Sequence, residues 1–260
     1  MSAIIVDNGL IHYEALGRGK PVLFLHGWIG SWRYWMPTME AVSDRFRAYA
    51  FDLWGFGDSD KSPQRYEIES YVSLIGAFMD DLGLVEAPLV GHSLGAVAAL
   101  LFAARMPDRV SKLMLVSLPL QSAAINRKLY TGSDNVLDRT IGRRQAQQAY
   151  PEVAQEADKA DSNAVAFSTR ALANLDLTSE IEKINRPLLI VHGEKDTLIT
   201  PPSLEAISDL EDTARQISLK DSLHFPMLDE ATKFQRLLRD FLEGGLDSLE
   251  LRDEWKRRAR

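Results

Sequence analysis

The sequence predicts an α/β doubly wound fold: a mostly parallel sheet with a helical segment inserted late in the chain. Two observations carry this. Short apolar runs alternate with amphipathic helical patterns over the first 117 residues, and the alternation stops after Val116 and resumes at Pro187. A run that is apolar without interruption suits a strand buried on both faces, as in a parallel sheet covered by helices.

In chain order, residues 10–15 alternate and read as a half-buried strand, whereas 22–25, 48–51, 89–90, Val110–Val116 and 188–191 read as buried ones. Between them Tyr71, Leu74, Ile75, Phe78, Met79 and Leu82 share one face of a helix. The longest apolar stretch, 94–104, makes about three helical turns, too few to cross a bilayer, and reads as a buried helix. Residues 118–178 have no strand pattern, hold seven basic and seven acidic side chains, and read as a helical insertion with turns at 131–135 and before Pro151. A helix from about Pro202, a strand at Ala214–Leu219 and a helix at 231–242 complete the core. Gly244 and Gly245 then break the chain before a charged tail, where Leu246, Leu249 and Trp255 recur at roughly helical spacing. The expected organisation is a core of residues 1–117 and 179–245, a cap of 118–178 and a helical tail of 246–260.

Composition narrows the function. The 260 residues are 45% hydrophobic, 8% aromatic and 26% charged, which excludes collagen-like, low-complexity and disordered chains. Thirty Lys and Arg against 37 Asp and Glu leave a net charge of −7, so no global attraction draws the chain to nucleic acid or an anionic membrane. Having no cysteine, it can build no disulfide framework, zinc–thiolate site, iron–sulfur cluster or cysteine nucleophile. No window reaches the ~18–20 apolar residues of a membrane span, and the N-terminus lacks the pattern of a signal peptide. A cytoplasmic protein with a small-molecule partner, and no nucleic acid or membrane partner, is expected; the sequence is silent on oligomeric state.

The sharpest motif is Gly91-His92-Ser93-Leu94-Gly95, set between a short strand and an apolar helix. In that context G-x-S-x-G makes a nucleophile elbow: the glycines relieve crowding, serine sits on a strained turn, and the helix N-terminus offers free N–H groups to a developing anion. Serine then needs a histidine base, and the histidine a carboxylate. His12 reads as a solvated strand residue, His26 as a loop organiser before Gly27, His92 as locked in the elbow, and His192 as a strand end. His224 lies in a late loop before the final helix and is the expected base. Asp196 follows a strand end, where side chains reach a ligand crevice, and is the expected acid, with Glu194 as its local rival. The loop at 117–120 carries no carboxylate.

The order Ser93, Asp196, His224 and four motifs in register resemble the α/β-hydrolase superfamily, in its cap-bearing Ser-His-Asp branch, over residues 3–243. The motifs are Leu25-His26-Gly27-Trp28, the Asp52-Leu53-Trp54-Gly55-Phe56-Gly57-Asp58-Ser59 turn, the elbow, and the Asp196/His224 ending. The resemblance implies that the backbone N–H groups of Trp28 and Leu94 form an oxyanion hole, that Asp52 and the glycines after it shape the neighbouring loop, and that neither metal nor organic cofactor is needed. Serine at the elbow departs from haloalkane dehalogenases and epoxide hydrolases, which use aspartate there. By elimination, an esterase-like activity on a small ester or acyl substrate fits. A ligand-sensing receptor, an acyltransferase or a carbon–carbon bond hydrolase on the same triad are the alternatives.

Trp28, Trp32, Trp35 and Trp54 fall in the two loops flanking the site, with Phe56 beside them. Aromatic walls suit an apolar group, so Trp28, Trp32, Trp54, Phe56 and, next to the base, Phe225 are the expected substrate contacts; the alternative is that several only anchor loops. Arg139, Arg143 and Arg144 could face an anionic substrate, or more simply line a solvated helix.

Overall fold

The computed structural model describes residues 2–130, 137, 140–203, 205–210 and 212–250. The turn expected at 131–135, Arg139, and Trp255 with the tail beyond 250 lie outside the described residues. Strands β1 (Ser2–Val6), β2 (Gly9–Gly17), β3 (Lys20–Leu25), β4 (Phe46–Phe51), β5 (Ala87–His92), β6 (Val110–Val116), β7 (Leu188–Gly193) and β8 (Ala214–Leu219) form an eight-stranded sheet in the order β1-β2-β4-β3-β5-β6-β7-β8. β2 runs antiparallel to both β1 and β4, and the remaining pairs are parallel. Asp7 and Asn8, both at positive φ (48° and 62°), close the β1–β2 hairpin, a role that short polar side chains tolerate.

The buried strands read as unbroken apolar runs because alternate residues serve opposite faces. Leu23, Leu25, Leu89, Leu113, Leu115, Leu188 and Ile190 enter one core cluster, which holds the apolar faces of α2 (Ile68–Asp81) and α3 (Leu94–Arg105). Val22, Phe24, Val90, Met114, Val116, Leu189 and Val191 enter the other, with α1 (Met36–Val42) and the last helix. Between β6 and β7 lie α4 (Arg143–Ala149), α5 (Pro151–Ala157), α6 (Ser162–Leu172) and α7 (Thr178–Ile181). After β8 come α8 (Pro226–Asp229) and α9 (Ala231–Glu250).

One local expectation is corrected: among the described residues the segment expected to be helical from about Pro202 makes a 3-10 turn at Glu205–Leu210 rather than an α-helix. The Gly244–Gly245 pair interrupts the last helix as the sequence indicates, and helical backbone resumes beyond it. Gly245 (φ 64°, ψ −151°), in a region only glycine occupies readily, kinks α9, and Leu246 and Leu249 beyond it are buried in the second cluster. Among the described residues no helix is long and apolar enough to cross a membrane.

The loop after β4 is tied from within. Asp52 Oδ1 accepts the Trp32 N–H at 2.8 Å and Oδ2 the Asp58 N–H at 2.9 Å, while Ser59 Oγ donates to the Asp52 carbonyl and accepts the His12 N–H. A Cβ on Gly57 (φ 50°) would stand 2.2 Å from Asp52 Oδ2, so the turn admits only glycine. Burial pushes the Asp52 carboxyl up to about 7, although its two backbone hydrogen bonds favour the ionised form. A carboxyl raised in this way holds its proton more tightly folded than unfolded; its contribution to stability is full below its ordinary value of 3.8 and is lost as pH rises through about 7. The urea-unfolding free energy should therefore decline between roughly pH 4 and 7, and Asp52→Asn should flatten that decline. An unchanged slope in the variant would remove Asp52 as its source.

Candidate active site

β5 ends at His92, α3 starts at Leu94, and the single residue between them, Ser93, takes φ 52° and ψ −113°. The turn is enforced by backbone contact: a Cβ on Gly91 would meet the Gly95 carbonyl oxygen at 2.5 Å, and one on Gly95 would meet the carbonyl oxygens of Leu25 and His26 at 2.5 Å. Ile29 (φ 54°) and Ser117 (φ 48°), in the segments that follow β3 and β6, share this left-handed backbone. Non-glycine residues seldom adopt it, and such strain concentrates at functional sites. Ser93 Oγ makes no hydrogen bond among the described residues and is not among the polar atoms sealed from solvent.

His224 sits between β8 and α8, its Nδ1 2.9 Å from Asp196 Oδ2. Asp196 follows β7, and its Oδ1 accepts the N–H groups of Leu198 (2.8 Å) and Ile199 (3.2 Å). Burial alone would raise the Asp196 carboxyl, but the facing His224 and these backbone donors outweigh it and hold the group below the ordinary carboxylate range. The rival Glu194 is exposed. The structure therefore places Asp196 and His224 in direct contact and Ser93 on the adjoining elbow, where the ring of His92 lies 4.8 Å from that of His224. No hydrogen bond joins Ser93 to His224; in ligand-free sites such bonds are commonly long and tighten on substrate binding.

The segment after β3 packs onto the elbow, a Cβ on Gly27 falling 2.8 Å from Ser93 Cβ. The backbone N–H groups of Trp28 and Leu94 have no acceptor among the described residues, although both residues are buried. Unpaired buried donors are rare and call for an explanation. The Trp28 indole Nε1 donates to Ser168 Oγ on α6 at 2.7 Å, so this loop is held by the inserted helices.

The remaining histidines have other settings. His26 donates from Nδ1 to the Gly27 carbonyl and accepts the Leu53 N–H at Nε2; burial lowers it to about 4. His192 is likewise lowered to about 4 by burial, and both its ring nitrogens lack hydrogen-bond partners among the described residues. His12 is buried rather than solvated, because Trp32 and the loop at 52–60 cover β2. His12, Asp52 and Asp58 are near enough to hold a metal ion. Their carboxylates are already engaged: Asp52 with two backbone donors, Asp58 with Lys159 at 2.9 Å.

The aromatics expected at the substrate also pack against the protein. Phe56 is fully buried against His26, Trp54 stacks under Arg65 beside the β1–β2 hairpin, and Trp32 lies between His12 and Arg33. Phe225 packs on His92, His224, Tyr34 and Tyr150, and Trp35 fills the second core cluster. Loops that must hold strained backbone need anchors, and these rings supply them. Arg143 and Arg144 are exposed. Sequence reasoning passed over Tyr34 and Ser168; the Trp32-Arg33-Tyr34-Trp35 aromatic run was the available signal for the first, and a serine in an amphipathic helix gave none for the second.

The chain is similar to mouse epoxide hydrolase 4, 35% identical over 120 residues that make up 44% of this chain and 33% of that protein, so it spans about a third of that relative. The pimeloyl-[acyl-carrier protein] methyl ester esterase of Vibrio campbellii is 27% identical over 260 residues, covering 89% of this chain and 98% of the esterase. Among solved structures, an esterase from Exiguobacterium antarcticum superposes with a TM-score of 0.77 at 24% identity over 92% of this chain and 98% of its own. The alpha/beta hydrolase fold family matches residues 20–162, from β3 through the elbow into the inserted helices, and this chain is a member of that family.

Proposed function

We propose that the protein is a serine hydrolase that cleaves the carboxylic ester, or a related acyl bond, of a small and largely apolar substrate through an acyl-serine intermediate. The observation that carries this reading is the hydrogen-bonded Asp196–His224 pair beside Ser93, whose hydroxyl makes no hydrogen bond among the described residues and whose backbone forms a strained elbow. Ser93 Oγ attacks the carbonyl carbon, and His224 Nε2 takes its proton and returns it to the leaving alcohol. Asp196 holds Nδ1–H and stabilises the imidazolium. The free N–H groups of Trp28 and Leu94 receive the oxyanion, each worth roughly 3–4 kcal/mol in comparable sites. Water, deprotonated by the same histidine, then attacks the acyl-serine and releases the acid.

Serine at the elbow, together with an esterase relative matched over nearly its whole length, favours ester cleavage over epoxide opening. Residues 118–178 act as the cap that roofs the pocket, with Trp28 as the aromatic contact best placed for substrate. No resident metal or cofactor enters this chemistry.

Ser93→Ala and His224→Ala should each lower kcat for a short-chain p-nitrophenyl ester by roughly 10⁴-fold or more, and the double variant should lose little beyond either single one. Independent, multiplicative losses would break the assignment. Asp196→Asn should be severe and Glu194→Gln mild in the same assay; the opposite ranking moves the acid to Glu194.

An enzyme must also turn over. Many equivalents of product per labelled serine, at a steady rate after any burst, are expected. Release that stops near one equivalent, accompanied by altered hydrogen exchange in 118–178, would identify a ligand sensor instead.

A further inference from the structure

Beneath Ser93 runs a chain of hydrogen bonds that the reaction scheme above does not use. The Gly27 N–H donates to Tyr34 Oη at 2.6 Å; Tyr34 Oη lies 2.9 Å from His92 Nδ1; His92 Nε2 lies 2.8 Å from the backbone carbonyl oxygen of His224. The end groups fix the direction of every bond. An amide can only donate and a carbonyl can only accept, so Tyr34 accepts from Gly27 and His92 donates from Nε2 to His224. A neutral His92 then presents the lone pair of Nδ1, which takes the Tyr34 hydroxyl proton. Burial lowers the His92 pKa well below its ordinary value, consistent with that single neutral tautomer. Tyr34 and His92 are both about 1% exposed, and the two rings meet edge to face at 5.6 Å. Ser117 Oγ adds a second donor to the His224 carbonyl at 3.2 Å.

We propose that Tyr34 and His92 are positioning residues: through Gly27–Tyr34–His92–His224 they lock the oxyanion loop, the elbow and the backbone of the base to one another. This rests on the reading of Ser93 and His224 given above. Neither residue touches the reacting atoms. The proposed oxyanion donor, Trp28, directly follows Gly27 in the chain, and the base is held at its ring by Asp196 and at its carbonyl by His92. Proton transfer and oxyanion formation occur together, so the separation between donor and base must be held through the acylation step. A neutral relay with every donor and acceptor used resists displacement at either end.

The test is steady-state hydrolysis of p-nitrophenyl butyrate, with kcat expressed per serine labelled to completion by a fluorophosphonate. Tyr34→Phe keeps the ring and removes the hydroxyl. It should lower kcat per labelled site by about 10- to 100-fold, the scale of a misplaced catalytic group, with KM moving less than about threefold. His92→Phe should fall to a similar level, and the double variant should be no more than about threefold lower than the worse single one, since both break the same chain. A purely structural role would reduce the number of labelled sites or the melting temperature but leave kcat per site within about twofold of wild type, and that result in Tyr34→Phe overturns the proposal. Tyr34→Phe decides the matter even where His92→Phe fails to fold. Wild-type protein that neither hydrolyses the ester nor takes the label overturns the hydrolase reading and the relay together, whereas active wild type with an unaffected Tyr34→Phe overturns the relay alone.

Discussion

Three backbones meet at Ser93 with no room for a side chain between them. Gly91 abuts the first turn of α3, Gly95 abuts the carbonyls at the end of β3, and Gly27 abuts Ser93 itself. The rest of the architecture serves that contact. β3 and β5 are neighbours in the sheet although the chain visits β4 between them, so the connections leave the pair in opposite directions and open a crevice at their carboxyl ends. The segment after β3 and the elbow after β5 flank that crevice, and β7 and β8 deliver Asp196 and His224 from one side. The two apolar clusters on either face of the sheet hold the left-handed backbone at Ile29, Ser93 and Ser117 in place.

The inserted helices belong to the same packed body. Ala164, Val165 and Leu172 extend the first cluster, and Ala146, Tyr150 and Val153 the second. Their polar contacts converge on the loops around Ser93. Trp28 reaches Ser168, Tyr66 reaches Asp161, and Glu156 takes both Arg33 (2.9 Å) and Lys159 (3.1 Å), the latter shared with Asp58. Isolated exposed ion pairs contribute little, but Glu156 is 3% exposed on its side chain, and a buried carboxylate that lost both cations would be costly.

Much of the fold was legible because buried parallel strands and crossover helices leave strong periodic signals. β6 and β8 have the bounds that their apolar runs indicate, and α2 carries the predicted stripe from Tyr71 to Met79. β1 was illegible since its first residues show too short an alternation, and α1 since it follows directly on an aromatic 3-10 turn. At the candidate site, residue types and chain order pointed to Ser93, Asp196 and His224, because few polar residues follow strand ends. The settings of the aromatics were hidden: Phe56 packs wholly within the core while Trp28 hydrogen-bonds to Ser168 on the inserted helices, and only the packed structure separates the two. Relays such as Tyr34–His92 are equally unreadable, since they depend on contacts between residues 58 positions apart.

α9 sets off close to His224 and runs back along the sheet, with Gln235 on the Pro37 carbonyl and Arg239 on Asp44, until the Lys112 ammonium near the start of β6 grips the carbonyls of Phe241 (3.0 Å) and Leu242 (2.5 Å). The parallel strands begin at that edge and end at the one that carries Ser93, Asp196 and His224. One helix thus binds the segment that carries His224 to the opposite end of the sheet, so the two ends of the strands are held at a fixed separation by α9 as well as by the sheet itself.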